Sequence, residues 1–114
     1  MILNGGIYDH YRFLKRATIQ QFTARVTVGE SARALGWDVP TLPSSSGKYF
    51  SSRSFGHTGF SGSSIWIDPV RQVFVILLTN RVYPSAGSNA ESRLMKATRA
   101  AIHDAVMEAL GHIC

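Results

Sequence analysis

The sequence predicts an α/β fold of the α+β type, with an antiparallel sheet of about three strands and a C-terminal helix. Two strand-like runs, 63–67 and 73–79, flank the turn sequence Asp68-Pro69-Val70-Arg71-Gln72, a pattern typical of a β-hairpin. Residues 88–110 repeat apolar side chains at spacings of three and four, which predicts a helix that packs on this sheet. With 45% hydrophobic and 17% charged residues, the chain of 114 residues is too apolar for disorder, so we expect one unit over residues 1–114.

The first third of the chain predicts only short elements. Asn4-Gly5-Gly6 is a helix stop signal, but three residues precede it, so we expect no helix for it to cap. We expect residues 7–14 to be extended or turning. Residues 15–26 predict a short amphipathic helix, and residues 33–37 a short strand.

The middle of the chain predicts a long loop and then the sheet. Residues 40–54 are rich in Ser, Pro and Gly, which favours a surface loop. Within it, Tyr49 and Phe50 either line a substrate cleft or fill the gap between loop and sheet. We expect strands at 54–58, 63–67 and 73–79, and the last of these to be central and covered on both faces, because it is apolar at successive positions.

The C-terminal helix has a start signal and a stop signal. Ser88 and Glu91 have the spacing of a capping box, and we expect Gly111 to end the helix. We expect the packing stripe to consist of Leu94, Thr98, Ala101, Ala105 and Ala109, widened by Ile102 and Val106. We expect the face that carries Arg93, Lys96 and Arg99 to be solvated.

Charge and cysteine content exclude several classes of protein. The net charge of +5 would suit nucleic acid, but the cations lie on different elements and no nucleic-acid-binding motif accompanies them. The lone Cys114 excludes an internal disulfide. No apolar run is long enough to span a bilayer, and no signal peptide precedes residue 4, so the sequence leaves the localisation unknown.

Metal and cofactor sites are not predicted. His10, His103 and His112 lie on separate segments without metal-ligand spacing, so we expect no metal. The glycines of residues 56–62 would suit a phosphate loop, but no lysine follows them and the next element is a strand. We therefore expect no cofactor.

One segment carries a specific motif, Gly56-His57-Thr58-Gly59-Phe60-Ser61-Gly62, followed by Ser64-Ile65-Trp66-Ile67-Asp68-Pro69 and Val75-Ile76-Leu77-Leu78-Thr79-Asn80-Arg81. With Leu35-Gly36-Trp37 and the closing helix, it resembles the C-terminal part of the serine β-lactamase and penicillin-binding-protein-like hydrolases. The likeness is nearest to the class C, D-alanyl-D-alanine carboxypeptidase and esterase branch, whose members are often periplasmic or secreted. It covers nearly all of this chain but only about the last third of the family's usual domain.

The resemblance implies roles for four residues. His57 takes the place of the basic residue that assists catalysis, and Thr58 supplies a substrate-binding hydroxyl. Gly59 permits close approach of the substrate, and the backbone N–H of Phe60 is the second donor of an oxyanion hole. The implied substrate is a small or peptidoglycan-like acyl compound.

Of two further motifs of the family, one occurs only in an unsuitable place and the other is absent. The Ser-x-x-Lys nucleophile pattern occurs only at Ser45-Ser46-Gly47-Lys48, inside the predicted loop and without a helical stripe after it. No tyrosine is followed two residues later by asparagine, so the Tyr-x-Asn motif is absent from the sequence. We therefore expect no activity from this chain alone.

Three functions follow from these observations. The leading one is part of a serine β-lactamase-like hydrolase, a truncated product or one chain of a split domain, which carries the His-Thr-Gly wall without the nucleophile. It would need an N-terminal partner segment or would self-associate through an uncovered sheet face. The alternative is a non-catalytic binding or interaction module that uses the same sheet, and a small basic nucleic-acid binder is the third.

Overall fold

The computed structural model describes residues 1–85 and 87–113, so the expectation for Cys114 lies outside the described residues. In chain order the elements are a 3-10 helix at Ile2–Asn4, strands β1 (Ile7–Tyr8) and β2 (Tyr11–Arg12), helix α1 (Arg16–Thr23), strands β3 (Val26–Val28), β4 (Ser31–Arg33), β5 (Phe55–Thr58), β6 (Ser64–Asp68) and β7 (Val73–Leu77), and helix α2 (Asn89–Ile113). Antiparallel strands and a C-terminal helix confirm the predicted fold class.

The main sheet has the strand order β5-β6-β7, with both pairs antiparallel. Because successive residues of a strand point to opposite faces, its side chains fall into two sets. The helix face, on which α2 packs, carries Gly56, Thr58, Ser64, Trp66, Val73 and Val75. The outer face carries Phe55, His57, Ile65, Ile67, Phe74 and Ile76.

The core lies between the helix face and α2. Trp66, 1% exposed, packs with Phe50 and Met107, and the Phe50 and Trp66 ring centroids are 6.2 Å apart. Phe50 thus fills the gap between the loop and the sheet, which decides between the two roles left open for it. Burial of such large side chains contributes about 1.5–3 kcal/mol each, so this cluster is the main apolar support of the fold.

Strand β7 is not central, which corrects the prediction for residues 73–79. It lies at the end of the sheet order, and Phe74 and Ile76 on the outer face are 58% and 53% exposed. The apolar residues at successive positions led to the expectation that both faces are covered. Among the described residues, however, no strand pairs with the far edge of β7, and only its helix face is covered by α2.

The helix and hairpin predictions are confirmed in type, with shifted ends. The β6–β7 hairpin is present, and α1 occupies the middle of the predicted 15–26 helix. Helix α2 continues through Gly111, so the predicted stop is wrong. Residues 40–54 contain no strand longer than an isolated bridge and no helix.

Two predictions for the first third are wrong, whereas the extended or turning conformation expected for residues 7–14 is confirmed. Gly5, with φ of 63°, does cap a helix, the 3-10 turn at Ile2–Asn4. Residues 7–14 form a hairpin whose turn residues Asp9 and His10 both have positive φ. The strand predicted at 33–37 lies earlier, at Ser31–Arg33, because Leu35 and Gly36 turn the chain back towards Asp38.

The buried carboxylate of Asp68 ties the long loop to the β6–β7 turn. It accepts hydrogen bonds from the Ser51 N–H (2.9 Å) and hydroxyl (2.8 Å) and from the N–H groups of Val70 (2.9 Å) and Arg71 (3.2 Å). Burial raises the pKa of the Asp68 carboxyl, but these hydrogen bonds outweigh it and hold the pKa below its usual value.

The buried imidazole of His103 joins α2 to both the sheet and the loop. Its Nδ1–H donates to the carbonyl oxygen of Ser45 (2.7 Å), so in the neutral ring Nε2 accepts from the Ser64 hydroxyl (3.3 Å). Burial, the largest cause, and the charge of Arg99 lower the pKa of His103, against smaller opposing effects of the Ser45 bond and Asp104.

We predict that His103 makes the stability of the chain depend on pH. Below about pH 6.5 the unfolded chain binds a proton at His103 that the folded chain does not, so the free energy of unfolding falls by up to about 1.4 kcal/mol per pH unit until the lower folded pKa is reached. Urea unfolding at pH 7.5 and pH 5 measures this loss. The variant His103→Gln, in which residue 103 does not titrate, should lose less free energy of unfolding between these pH values than the wild type. The variant His57→Gln, at an exposed position, should lose as much as the wild type. Equal losses in both variants would contradict the prediction.

Candidate functional site

His57 lies at the end of β5 and points to the outer face. It is exposed, in one row with Ile65 and Ile76 across the sheet. Its Nδ1 is 2.9 Å from the carbonyl oxygen of Thr58, which can only accept, so Nδ1 carries the proton. Nε2 makes no hydrogen bond to the described residues and is available to a substrate or to a catalytic group.

Thr58, the next residue, points to the helix face. It lines a cavity of about 430 Å³ together with Trp66, Lys96 and Arg99. The structure therefore places the side chains of His57 and Thr58 side by side along β5 but on opposite faces of the sheet. Only a ligand at the strand edge could contact both.

The edge of β5 is partly occupied. Both backbone groups of Gly56 bond to Asp38, at 2.9 Å and 2.7 Å. Because backbone groups of an antiparallel strand alternate between its two sides, Thr58 also directs its N–H and C=O to this edge. At this edge the Thr58 N–H donates to none of the described residues, whereas the Thr58 carbonyl oxygen accepts from His57 Nδ1 (2.9 Å).

The loop after Thr58 is a tight turn closed by hydrogen bonds. The Gly59 N–H donates to Ser63 O (2.7 Å), and the Gly62 N–H donates to Gly59 O (3.1 Å). Ser61 O accepts from the Arg81 N–H (2.8 Å) and from the Thr79 hydroxyl (3.0 Å). These bonds fix the loop from both sides of the turn.

Phe60 is the most exposed residue of this turn, and its N–H donates to none of the described residues. Its ring is 72% exposed and lies 4.8 Å from the guanidinium carbon of Arg81. The structure thus holds a backbone donor without a partner at the position that the resemblance assigns to the oxyanion hole. That role stays a prediction.

Arg99 is a contact residue that sequence reasoning missed. We expected a solvated residue, but Arg99 is only 8% exposed and its guanidinium donates to Gly62 O (2.8 Å), Gly59 O (2.9 Å) and Ser63 O (3.4 Å). Burial, followed by the charge of Arg81, lowers its pKa below the usual arginine value. The loop carbonyls make this burial possible, because they replace the water that the cation loses.

The predicted packing stripe of α2 is also wrong. Leu94 is 66% exposed, and Ala101, Ala105 and Ala109 are exposed as well. The helix packs through residues spaced by four, Arg99, His103 and Met107, which are all buried. That spacing is the signal that could have identified Arg99.

The Ser45–Lys48 pair does not have the arrangement of an activated nucleophile. Both residues lie in the irregular loop, and the Lys48 ammonium lies 4.9 Å from the Tyr49 ring centroid. In the described residues no hydrogen bond joins the two side chains. No three His, Cys, Asp or Glu side chains of the described part cluster as metal ligands, and the His112 side chain lies outside that part. Within the same residues, neither helix has the length and hydropathy to cross a membrane.

Comparison with known proteins shows the family of this chain. The family model named Beta-lactamase matches residues 2–100. The chain belongs to the beta-lactamase family. It is also 33% identical over 84 residues to proteins of Salmonella typhi, Salmonella paratyphi B and Salmonella newport, which are named provisionally as D-alanyl-D-alanine carboxypeptidases.

The match to these relatives is partial. It takes in 71% of this chain but 19% of each relative. The chain therefore corresponds to about a fifth of a beta-lactamase-family protein of this kind. The activity of the whole relative does not pass to this chain by similarity alone.

We predict that normal folding requires glycine at position 56 but not at position 59. A Cβ on Gly56 would lie 2.3 Å from Ile65 O and 2.4 Å from a Trp66 ring carbon, so Gly56→Ala should prevent normal folding or destabilise it by at least about 2–3 kcal/mol. A Cβ on Gly59 meets nothing closer than 3.6 Å, so Gly59→Ala should cost less than about 1 kcal/mol. Thermal unfolding of both variants measures this, and similar losses in both would contradict it.

Proposed function

We propose that this chain contributes one wall of the acyl-transfer site of a serine beta-lactamase-like hydrolase. His57 assists catalysis as a base or an electrostatic group, Thr58 binds substrate, and Gly59 lets the substrate approach. The Phe60 N–H stabilises the oxyanion. The substrate is a small or peptidoglycan-like acyl compound, such as a β-lactam, a D-alanyl peptide or an ester.

The observation that carries the proposal is that the Phe60 N–H, in the turn just after β5, donates to none of the described residues. An exposed N–H in a turn that is held by hydrogen bonds can donate to a ligand oxygen. Removal of one oxyanion donor costs on the order of 10²- to 10³-fold in turnover. His57, which lies on β5 three residues before Phe60 and is exposed, adds an imidazole near this edge.

The proposal also holds that the chain is inactive by itself. A nucleophilic serine needs a base within hydrogen-bond reach, and the geometry of Ser45 supports none. A Tyr-x-Asn motif is not found in the sequence. The missing groups would come from a second segment of the same kind of domain.

We predict that the purified chain hydrolyses neither a chromogenic cephalosporin nor p-nitrophenyl esters above the rate in buffer. Without an activated nucleophile it has no acyl-enzyme to form. The measurement is an intact-mass spectrum after incubation with a penicillin or a fluorophosphonate probe, with Ser45→Ala as control. An adduct on the wild type that Ser45→Ala removes would show that Ser45 is the nucleophile.

The partner segment has a surface to bind. Phe74 and Ile76 expose apolar side chains on the outer face, and the unpaired edge of β7 offers backbone groups to a further strand. Exposed apolar area beside an open strand edge is typical of an interface. We infer that the N-terminal segment of a beta-lactamase-like domain covers both, and that without it the chain self-associates.

We predict complementation by a separately expressed segment. The partner is the part of the Salmonella typhi relative that precedes its match to this chain, provided it carries Ser-x-x-Lys and Tyr-x-Asn. Mixing should raise the thermal midpoint of this chain and produce ester or lactam turnover. Gly59→Val should keep the rise in midpoint but remove the turnover, since its side chain would obstruct the substrate.

The control is the same partner segment with its nucleophilic serine changed to alanine, which should bind without turnover. Light scattering and a hydrophobic dye test the free chain. A monomer that melts cooperatively, binds no dye and gains nothing from the partner would favour the alternative, a non-catalytic binding or interaction module.

A further inference from the structure

Within the described residues, the guanidinium of Arg99 donates its hydrogen bonds to backbone carbonyls of one loop. Nε donates to Gly62 O at 2.8 Å, and Nη2 donates to Gly59 O at 2.9 Å and more weakly to Ser63 O at 3.4 Å. Within the described residues no carboxylate pairs with it. A buried cation is costly, so its placement under this turn needs a reason beyond packing.

The Gly59 carbonyl belongs to the same peptide group as the Phe60 N–H. This peptide bond is trans, because the cis bonds of the described chain are at Leu42-Pro43 and Tyr83-Pro84. In a planar trans peptide, C=O and N–H point in opposite directions. When Arg99 holds Gly59 O on the helix side, the Phe60 N–H must point away from α2.

We propose that Arg99 is a positioning residue that aims and polarises the Phe60 N–H for an acyl oxygen. This proposal rests on the proposed function for the identity of the acceptor. Arg99 does not touch the substrate, and it acts only through the Gly59–Phe60 peptide group.

Two features of the contact suit this role. A hydrogen bond from a cation to a carbonyl shifts charge along the amide, so the N–H of the same peptide becomes a stronger donor. In addition, Gly59 O already accepts from the Gly62 N–H at 3.1 Å, so both of its acceptor positions are filled and the plane cannot turn over without breaking two bonds.

Lysine could not replace arginine here. The planar guanidinium presents Nε and Nη2 in a fixed fork that bonds Gly62 O and Gly59 O together, whereas an ammonium on a flexible stem offers one point charge. On the far side of the turn, the Arg81 N–H holds Ser61 O. The loop is thus fixed at both ends, with Phe60 between them.

The first test uses the chain alone and needs no turnover. Amide hydrogen exchange is measured by NMR in wild type, Arg99→Ala, Arg99→Lys and the control Arg93→Met, an exposed residue of the same helix. The amides of Gly59 and Gly62 should exchange at least about tenfold faster in both Arg99 variants. The β6–β7 ladder amides, for example Val75, should change less than about twofold, as should all amides in the control.

Chemical rescue separates orientation from general loss of stability. Ethylguanidinium at millimolar concentration should slow exchange of the Gly59 and Gly62 amides in Arg99→Ala, because it refills the site with the same donor geometry. Ethylammonium at the same concentration should not. Faster exchange of the β6–β7 ladder to the same degree, or loop exchange unchanged within twofold, would overturn the proposal.

The second test uses the complemented protein. There Arg99→Ala should lower kcat by about 10- to 10³-fold with KM changed less than about threefold, and ethylguanidinium should restore part of kcat. Full kcat in this variant would overturn the positioning role. If the complemented wild type shows no turnover although the exchange results are as expected, the hydrolase function is overturned. Of the proposal for Arg99, only its hold on the Gly59–Phe60 peptide would then be supported.

Discussion

The burial of two polar side chains on one face of α2 is the constraint on which the rest of the structure depends. An unsatisfied buried polar group costs roughly 1–3 kcal/mol, and more when it is charged. Arg99 meets this requirement with the carbonyls of the turn after β5, and His103 meets it with Ser45 O and the Ser64 hydroxyl. Helix α2 therefore determines the positions of the turn after β5 and of the long loop. Neither of these segments has regular secondary structure that could position it.

The long loop is held at its other end by a second buried polar group. Asp68 ends β6, and its carboxylate bonds Ser51 of the loop and two N–H groups of the following turn. The backbone N–H groups of Lys48 and Tyr49 bond the carboxylate of Asp104 on α2. The Ser-rich segment is thus a packed connection between helix and hairpin.

The sequence was most informative where one periodic pattern decided the structure. The β6–β7 hairpin follows from strand-like runs around a Pro-containing turn, and the start of α2 follows from Ser88 and Glu91, which do form a capping box. The packing face of α2 could not be predicted in the same way. Apolar periodicity selected Leu94 and the alanines, but the buried residues Arg99 and His103 are polar, and their burial depends on acceptors brought from elsewhere in the chain. Family motifs identified the candidate site, whereas its division between two sheet faces required the structure.

The main sheet is covered on only one of its two faces. A strand with apolar side chains at successive positions needs packing partners on both of its faces. Helix α2 packs on only one face of β7. On the outer face, Trp37 covers Phe55 with ring centroids 5.3 Å apart, but no such contact reaches Phe74 or Ile76. His57 stands on this same face, in line with Ile76. A segment that covered the apolar side chains would therefore also lie beside His57.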